Sequence, residues 1–305
     1  MRTHFLLPDC QVKPNTPLEH LEWAGKYCAD KQPDVIVCIG DFADMESLSS
    51  YDKGKECFEG RRYTDDIKSA KEAMELFMKP VRAKMLSTKR SKTPWKPRLV
   101  LTLGNHENRI NRAIGEDPAK LRGVISIDDL PYDEWEVVPF LQHIVIDGVC
   151  YSHYFTSGVM GRPVTSAKAL ISKKHMSCVA GHQQGRDIAF DKDATGRQMT
   201  ALICGSYYQH DENYMDYQSN KHWRGLYVLH EVDNGSFDEL AVSLKYLKRK
   251  YGNTSKRVTP SGRKGVNKTV SKVSKSNAAK RVDTREQSVI LPKTTKQTTK
   301  RGASK

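Results

Sequence analysis

Short apolar segments in the first hundred residues each stop at a polar side chain. Segments 3–8, 34–39 and 98–103 are apolar runs of strand length, and the first two are followed by Asp9 and by Gly40-Asp41. Runs of this length that end at turn or polar residues are typical of buried strands. Because roughly 30 residues separate the ends of the first two runs, they fit one strand–helix–strand unit with parallel strands.

Helical patterns fill the intervals between these segments. The stretch 16–19, Thr-Pro-Leu-Glu, has the form of a capping box with proline at the first helical position, and it predicts a helix start there. Apolar residues recur at helical spacing from Ile67 to Val81, with Thr64 as the predicted cap. Pro80 is predicted to end or kink this second helix, because proline lacks the amide that an interior turn needs.

The second half of the sequence is richer in strands joined by short turns. Strands are predicted at 143–150, 177–180, 199–204 and 225–232. A β-α-β-α-β first half followed by a strand-rich half predicts an α/β fold. We expect a layered α/β/β/α sandwich of two mixed β-sheets flanked by helices.

Charge divides the chain into two parts. The sequence of 305 residues has a net charge of +14, of which residues 251–305 supply +13, from 15 Lys and Arg against Asp283 and Glu286. Residues 1–250 are therefore nearly neutral and are predicted to form one domain. Residues 251–305 have no aromatic residue after Tyr251 and no apolar periodicity, so they are predicted to be a disordered basic tail. Such a tail would attract nucleic acid or another polyanion, or would act only as a solubilising extension.

Several classes of protein are excluded by composition. No apolar run approaches the ~18 residues of a membrane span, and the N-terminus lacks the apolar core of a signal peptide. The seven cysteines are scattered and contain no C-x-x-C pair, which argues against a disulfide scaffold or a zinc ribbon. Cys38 and Cys178 lie within apolar runs and are expected to be buried thiols. These features favour a cytoplasmic protein.

The strand ends carry side chains of metal-ligand type. In an open α/β sheet, ligands collect at the carboxyl ends of the strands, so five distant segments should converge on one edge. Carboxylate, amide and imidazole groups together suit one or two divalent cations such as Mn, Fe, Zn or Mg. The strand-end residues are Asp9, Asp41, Asn105, His153 and His182.

This pattern resembles the calcineurin-like metallophosphoesterases, especially uncharacterised members found in bacteriophages and bacteria. That family has D-x-H, G-D-x-x-D, G-N-H-E/D, a lone His and G-H-x-H in this order, each after a strand. The matching stretches cover about residues 3–240. They are Asp9-Cys10-Gln11, Gly40-Asp41-Phe42-Ala43-Asp44, Gly104-Asn105-His106-Glu107, His153 and Gly181-His182-Gln183-Gln184.

The resemblance implies a centre with two divalent cations, most readily Mn²⁺, with Mg²⁺, Fe, Ni²⁺ or Zn²⁺ as alternatives. Asp41 would bridge the two cations. The resemblance places Asn105, His153 and His182 at one cation and Asp9, Gln11 and Gln184 at the other.

The resemblance also implies the catalytic groups. His106 would lie beside the phosphate and protonate the leaving group, and Asp44 would orient His106. Arg109 follows the same turn and would contact a phosphate, although a structural role is equally compatible with the sequence. Glu107 is interpreted as an anchor for the loop that presents Asn105 rather than as a second base.

Two departures from the family pattern affect the predicted centre. Gln11 and Gln184 stand where the family has histidines. An amide oxygen favours Mg, Mn or Ca over Zn and binds more weakly than imidazole. The pair therefore indicates either a retuned two-metal site or a decayed first site, which would leave a one-metal enzyme or an inactive binder.

Other residues have both a functional interpretation and an ordinary structural one. Arg61 and Arg62 lie in an insertion, 45–63, that could cover a substrate, but an exposed basic pair is more often ordinary surface. Tyr207, Tyr208 and Trp223 could stack on a base, with core packing as the default. The remaining histidines match no family motif and are interpreted as structural or exposed. They are His4, His20, His143, His175, His210, His222 and His230.

The sequence therefore predicts a metal-dependent phosphoesterase that hydrolyses a phosphomonoester or phosphodiester, with the tail pointing to nucleic acid or a nucleotide as substrate. Its cellular location would be the cytoplasm, which is the host cytoplasm if the protein is phage-encoded. Two alternatives stay open. One is a catalytically degenerate phosphoesterase fold that binds nucleic acid through its tail, and the other is a protein phosphatase. The sequence gives no oligomeric state.

Overall fold

The computed structural model describes residues 1–211 and 222–252. Its strands are β1 Arg2–Leu7, β2 Val35–Cys38, β3 Arg98–Thr102, β4 Glu136–Val138, β5 Ile144–Ile146, β6 Val149–Tyr151, β7 Thr156–Ser157, β8 Arg162–Pro163, β9 Cys178–Ala180, β10 Arg186–Lys192, β11 Gln198–Cys204, β12 Gly225–Asp233 and β13 Ser236–Ser243. Its helices are α1 Glu19–Lys31, α2 Tyr63–Thr88, α3 Arg109–Glu116, α4 Pro118–Leu121, α5 Ala167–Lys174 and α6 Leu244–Tyr251, with three short 3₁₀ turns between them.

Two mixed sheets form the centre of the fold. The first has the order β13-β12-β1-β2-β3-β4, in which β1 to β4 are parallel and β12 and β13 are antiparallel additions. The second has the order β10-β11-β9-β6-β5, with a parallel core of β11, β9 and β6 between antiparallel edges. A small separate hairpin pairs β7 with β8.

Alternating side chains divide the apolar residues into three layers. Phe5 and Leu7 of β1 pack with the helices α1 and α2, whereas Leu6 between them packs against residues of the second sheet. On the far side of the second sheet, Cys178 packs with Leu170 of α5. This period of two places helices outside both sheets and confirms the predicted α/β/β/α sandwich. Cys38 and Cys178 are fully buried, as expected.

The predicted start of the first helix is wrong. The helix begins at Glu19 with Leu18 as its N-cap, and no side chain caps it. Thr16 instead donates its hydroxyl to the carbonyl of Lys13 at 2.8 Å. The segment before the helix lies along the wall of the cavity described below. In this conformation Thr16 is not placed to form the predicted capping box.

The predicted end of the second helix is also wrong. Helix α2 continues through Pro80 to Thr88, and it starts at Tyr63, so that Thr64 lies inside it rather than capping it. An interior proline costs about 3 kcal/mol of helix propensity. Phe77, Met78 and Val81 around it are fully buried, and the free energy of their burial exceeds that cost.

The predicted strand 143–150 is in fact the hairpin β5–β6. Asp147 and Gly148 both have positive φ angles, 50° and 82°, and form the turn between the two strands. An Asp-Gly pair between apolar residues is a strong hairpin signal that the prediction did not use. The other predicted strands agree with the structure to within one residue at each end, whereas β4, β7, β8, β10 and β13 were not predicted.

Two further predictions concern the chain as a whole. Within the described ranges, none of the helices combines the length and the apolar character needed to cross a membrane. The last helix of the described residues, α6, ends at Tyr251. The predicted disordered tail lies, from residue 253 onward, outside the described residues.

Candidate metal centre and active site

Three of the five polar strand-end residues, Asp41, Asn105 and His182, line one cavity of about 820 Å³, whereas Asp9 and His153 are buried and are not part of its lining. The cavity opens where the loops after β1, β2, β3 and β9 meet, as expected for the carboxyl ends of parallel strands. Its lining includes Gln11, Lys13, Asp41, Asp44, Arg61, Asn105, His106, Arg109, His182, Gln184, His210 and His222.

Asp41, His153 and His182 form the most compact group of potential ligands in this region. One ligand atom from each lies within 4.8 Å of the others. Asp41 Oδ2 is 3.1 Å from His153 Nε2, and Asn105 Oδ1 is 3.0 Å from the same nitrogen. We call Asn105, His153 and His182 the imidazole side of the centre.

His153 has the orientation of a metal-binding histidine. Its Nδ1 donates to the carbonyl of Ile39 at 2.8 Å, which fixes the tautomer and turns Nε2 toward Asp41 and Asn105. Histidines that bind metals commonly donate their second ring nitrogen to a backbone carbonyl in this way. The residue is fully buried, so the ring has little freedom to turn.

The two histidines of this side have opposite pKa shifts. Burial alone would lower the pKa of His153, but the Asp41 carboxylate outweighs it and raises that pKa to about 10. Burial, with His153 as the next cause, lowers the pKa of His182 to about 4. His182 is therefore already in the neutral form that binds metals. At His153 a cation would take the place of a proton on Nε2.

Asp9, Gln11 and Gln184 form the second group, which we call the amide side. Asp9 is fully buried and accepts from the backbone amide of His182 at 2.9 Å. Burial raises the pKa of Asp9 to about 7, with Asp41 adding to the effect and His153 opposing it. Asp41 contacts this side as well, since its carbonyl accepts from the amide of Gln11 at 2.8 Å.

The two glutamines differ in their hydrogen bonding. Gln11 is 1% exposed, and both its amide oxygen and its amide nitrogen lack a hydrogen-bond partner among the described residues. A buried polar group without a partner costs about 1–3 kcal/mol. Gln184 is 7% exposed, and its Oε1 accepts from the hydroxyl of Tyr208 at 2.6 Å.

These residues fit divalent cations. Asp9 and Asp41 are both buried carboxylates, and the charge of Asp41 helps to raise the pKa of Asp9, so a cation between them would offset the cost of burying their charges. The unpartnered amide of Gln11 could supply an oxygen ligand. The imidazole side could hold one cation together with Asp41, and the amide side could hold a second.

His106 lies beside this centre. Its Nδ1 is 2.5 Å from Asp44 Oδ1, and its Nε2 is 3.7 Å from Asp41 Oδ2. Because a carboxylate can only accept, Nδ1 donates to Asp44 and Nε2 is the nitrogen available to a substrate. Burial alone would lower the pKa of His106, but Asp41 and Asp44 outweigh it and raise that pKa, which favours the protonated ring near neutral pH.

Arg109 holds the same carboxylate. Its Nη1 donates to the side chain of Asp44 at 2.9 Å and to the Asp44 carbonyl at 2.8 Å, while its Nη2 is 3.4 Å from His106 Nε2. Burial alone would raise the pKa of Asp44, but His106 and Arg109 together hold it well below its usual range. Arg109 thus combines a structural contact with a position next to the reactive nitrogen of His106.

Glu107 connects the loops that carry the ligands. Its buried carboxylate accepts from the backbone amides of Asp41, Ala43 and Gly104 at 2.9–3.0 Å, and from the hydroxyl of Tyr132 at 3.2 Å. It has no oxygen left for proton transfer to a substrate. These contacts agree with its interpretation as a loop anchor.

The structure adds cavity residues that the sequence motifs did not identify. Lys13 Nζ lies 3.7 Å from Asp44 Oδ2, and Arg61 pairs with Asp52 at 2.9 Å instead of lying free on the surface. His210 and His222 line the cavity, whereas Tyr208 behind them is fully buried. Lys13 follows the first motif by two residues but is not part of it, and Arg61, His210 and His222 come from segments without a motif, so motif spacing did not identify these residues.

Comparisons with known proteins give distant similarities. No protein-family model matches the sequence, and no curated protein matches it. Among solved structures, the chain is similar to the phosphoesterase Yfce from E. coli, with 12% identity and a TM-score of 0.35 over 79% of this chain and 100% of that one. It is also similar to a dimetal phosphatase from Danio rerio, with 10% identity and a TM-score of 0.36 over 80% and 99% of the two chains.

A third similar structure is a double mutant of Vps29 from Entamoeba histolytica, with 12% identity and a TM-score of 0.33 over 79% of this chain and 98% of that one. Identities of 10–12% and TM-scores of 0.33–0.36 carry no assignment of function. The function must therefore be inferred from the residues of the candidate centre.

Proposed function

We propose that this protein is a metal-dependent phosphoesterase that hydrolyses a phosphomonoester or phosphodiester. The observation that carries the proposal is the placement of His106 against Asp44 at 2.5 Å, beside the ligand group of Asp41, His153 and His182. An acid held next to a metal centre is the arrangement that phosphoester cleavage needs. The cavity of about 820 Å³ is large enough for a nucleotide-sized ester.

The cations would be two divalent ions, and Mn²⁺ is the one we propose. Asp41 would serve both, with Asn105, His153 and His182 on one side and Asp9, Gln11 and Gln184 on the other. Bound there, the cations would supply Lewis-acid activation of the phosphoryl group and of the attacking water. Carboxylate and amide oxygens on the amide side favour Mn²⁺ or Mg²⁺ over Zn²⁺.

The side chains around the cations have separate tasks. His106, protonated and oriented by Asp44, gives its Nε2 proton to the leaving oxygen. Arg109 holds Asp44 in place and presents Nη2 to a phosphoryl oxygen next to His106. The Asp44 carboxylate on Nδ1 helps to keep the pKa of His106 raised, so that the acid stays charged until the ester bond breaks.

The substrate class we propose is nucleic acid or a nucleotide. The +13 charge of residues 251–305 supports this, because a polyanion is the partner that such a segment attracts. In the described part of the chain, α6 leads toward that segment with exposed Lys245, Lys248, Arg249 and Lys250. Raising the salt concentration should therefore slow hydrolysis of an oligonucleotide far more than hydrolysis of a small chromogenic ester. Equal slowing of both would contradict nucleic-acid recruitment.

Hydrolysis of bis-p-nitrophenyl phosphate and p-nitrophenyl phosphate by the metal-stripped full-length protein tests the enzyme itself. Mn²⁺, Mg²⁺, Ni²⁺ or Zn²⁺ would be added back in turn. We expect metal-dependent turnover that falls at least about 100-fold in His106→Ala, because the general acid is removed. His143→Ala is the matched control, since His143 is exposed and outside the cavity lining.

Two outcomes would contradict the proposal. One is the absence of turnover with every metal from a protein whose cooperative thermal unfolding shows that it is folded. The other is a His106→Ala variant as active as His143→Ala. The first result would favour the degenerate, non-catalytic alternative.

A further inference from the structure

A buried hydroxyl lies directly behind the amide side of the centre. Tyr208 follows strand β11 and is fully buried. Its hydroxyl is 2.6 Å from Gln184 Oε1 and 2.9 Å from His222 Nδ1. The hydroxyl therefore connects the candidate ligand Gln184 to His222, a histidine that lines the cavity.

The direction of these two hydrogen bonds follows from the chemistry of the groups. An amide oxygen can only accept, so the Tyr208 hydroxyl donates to Gln184. The same hydroxyl oxygen must then accept from Nδ1–H of His222. A carbonyl oxygen has two lone pairs, so the hydrogen bond from Tyr208 does not by itself prevent Gln184 Oε1 from binding a cation.

The ring of Tyr208 is held from two sides. His210 stacks on it with ring centroids 4.5 Å apart and an interplanar angle of 23°. The guanidinium of Arg224 lies 4.8 Å from the ring centroid. A hydroxyl on a ring packed in this way has a fixed position, and so does the amide oxygen bonded to it.

We propose that Tyr208 is a positioning residue that sets the amide oxygen of Gln184 for the cation of the amide side. This inference rests on the proposed function. A glutamine side chain has three rotatable bonds between its backbone and its amide oxygen, so it is more flexible than a histidine ligand. A glutamine ligand therefore needs a hydrogen-bond partner that fixes the position of its oxygen. Partners of this kind change metal affinity about 10–100-fold.

Tyr207 offers a matched comparison. It is adjacent in sequence and equally buried, but its hydroxyl donates to the carbonyl of His20 at 2.9 Å, outside the centre. Removing either hydroxyl leaves a phenyl ring in the same packing. Only the Tyr208 hydroxyl touches a candidate ligand, so the two variants separate positioning of the ligand from general stability.

Calorimetric titration of the metal-stripped full-length protein with Mn²⁺ tests the inference. We expect two binding events in the wild type, with the weaker one on the amide side. In Tyr208→Phe the weaker event should lose about 10-fold in affinity while the tighter event stays within about 2-fold. Tyr207→Phe should leave both unchanged. The tighter event serves as an internal measure of correct folding.

A double-mutant cycle locates the effect. If Tyr208 acts through Gln184, adding Tyr208→Phe to Gln184→Ala should cause no further loss at the weaker site. Independent losses that multiply, or equal affinities in Tyr208→Phe and the wild type, would overturn the inference while leaving the proposed function intact. A wild type that binds no Mn²⁺ at all would overturn both.

Discussion

The two sides of the candidate metal centre differ in how completely their polar atoms are paired. On the imidazole side, His153 bonds Ile39 and approaches Asp41 and Asn105 within 3.1 Å. On the amide side, neither polar atom of the buried Gln11 has a partner among the described residues. The orientation of His153 is fixed by the protein alone, whereas the amide of Gln11 becomes satisfied only when something binds.

This difference predicts unequal affinities. Ligands that are already oriented lose little conformational freedom on binding, so the imidazole side should bind its cation more tightly. The amide side uses oxygen ligands, one of them on a flexible side chain, and should bind more weakly. If the proposed centre binds two cations, we therefore expect Gln11 and Gln184 to produce a graded pair of sites rather than two equal ones.

Removing the residue that serves both sides should have the largest effect. Asp41→Asn takes away the carboxylate that contacts His153 and lies beside His106. We expect both Mn²⁺ binding events to weaken at least about 100-fold and turnover to be lost with them. Asp238→Asn, an exposed carboxylate, is the control. A variant that keeps the weaker event unchanged would show that Asp41 does not join the two sides.

Two glycines allow the sides to be disturbed separately. A Cβ at Gly104 would lie 2.1 Å from Asp41 Oδ1, and a Cβ at Gly181 would lie 2.3 Å from Asp9 Oδ1. Gly104→Ala should weaken both binding events, whereas Gly181→Ala should weaken mainly the event on the amide side, each by about 10-fold. Calorimetry on the two variants checks this. Identical profiles would contradict the division into two sides.

Restoring an imidazole on the amide side should change the metal preference. In Gln11→His we expect the affinity for Zn²⁺ to rise about 10-fold relative to Mn²⁺, because nitrogen ligands suit Zn²⁺ better than amide oxygen does. Competition between the two metals on the full-length protein measures the ratio. Gln198→His, on an exposed strand position, should leave the ratio unchanged. An unchanged ratio in Gln11→His would place Gln11 outside the ligand set.

Asp66 is a second buried residue with a polar atom that lacks a hydrogen-bond partner, and it tests whether such atoms always indicate metal ligands. Asp66 on α2 is 1% exposed. Its Oδ2 accepts from the amide of Ser47, and its Oδ1 lacks a partner among the described residues. Burial raises the pKa of Asp66 to about 6, above its ordinary value of 3.8. Because the folded state favours the protonated form, the contribution of Asp66 to stability is fully present below pH 3.8 and is lost as the pH rises through 6.

Asp66→Asn should therefore stabilise the protein at pH 8 by up to about 3 kcal/mol, and the gain should shrink toward zero near pH 4. Urea denaturation at the two pH values measures it. Mn²⁺ binding should stay unchanged, since Asp66 is not part of the centre. A gain of equal size at both pH values would show that the effect comes from packing instead of ionisation.

The positions of the candidate ligands at the strand ends were predictable from sequence because each follows a locally recognisable strand. An apolar run ending at Asp9 or Asp41 fixes both the strand and the edge at which its side chain lies. The layered fold was predictable for the same reason. Sequence spacing alone gave no information on how the ligands are supported, since that depends on contacts between distant loops.

Several differences from the predictions come from tertiary packing. Pro80 was expected to end or kink α2, but the helix continues through it, because the burial of its own residues Phe77, Met78 and Val81 stabilises it. Local capping signals at Thr16 were overridden by the path of the cavity loop. Tyr208 and His222 reach the centre from segments without a motif, so only the folded structure brings them to Gln184. Tertiary contacts, which have no local signature, decided each of these cases.

The carboxylate of Glu107 has a consequence for how a ligand is received. By accepting three backbone amides from two different loops, it fixes the relative position of Asp41 and Asn105 without touching a substrate. The ordering entropy of these loops is therefore lost when the chain folds, not when an ester arrives. For the proposed ester substrate, the free energy of binding would then be available for straining the ester toward its transition state, because little of it is needed to organise the protein.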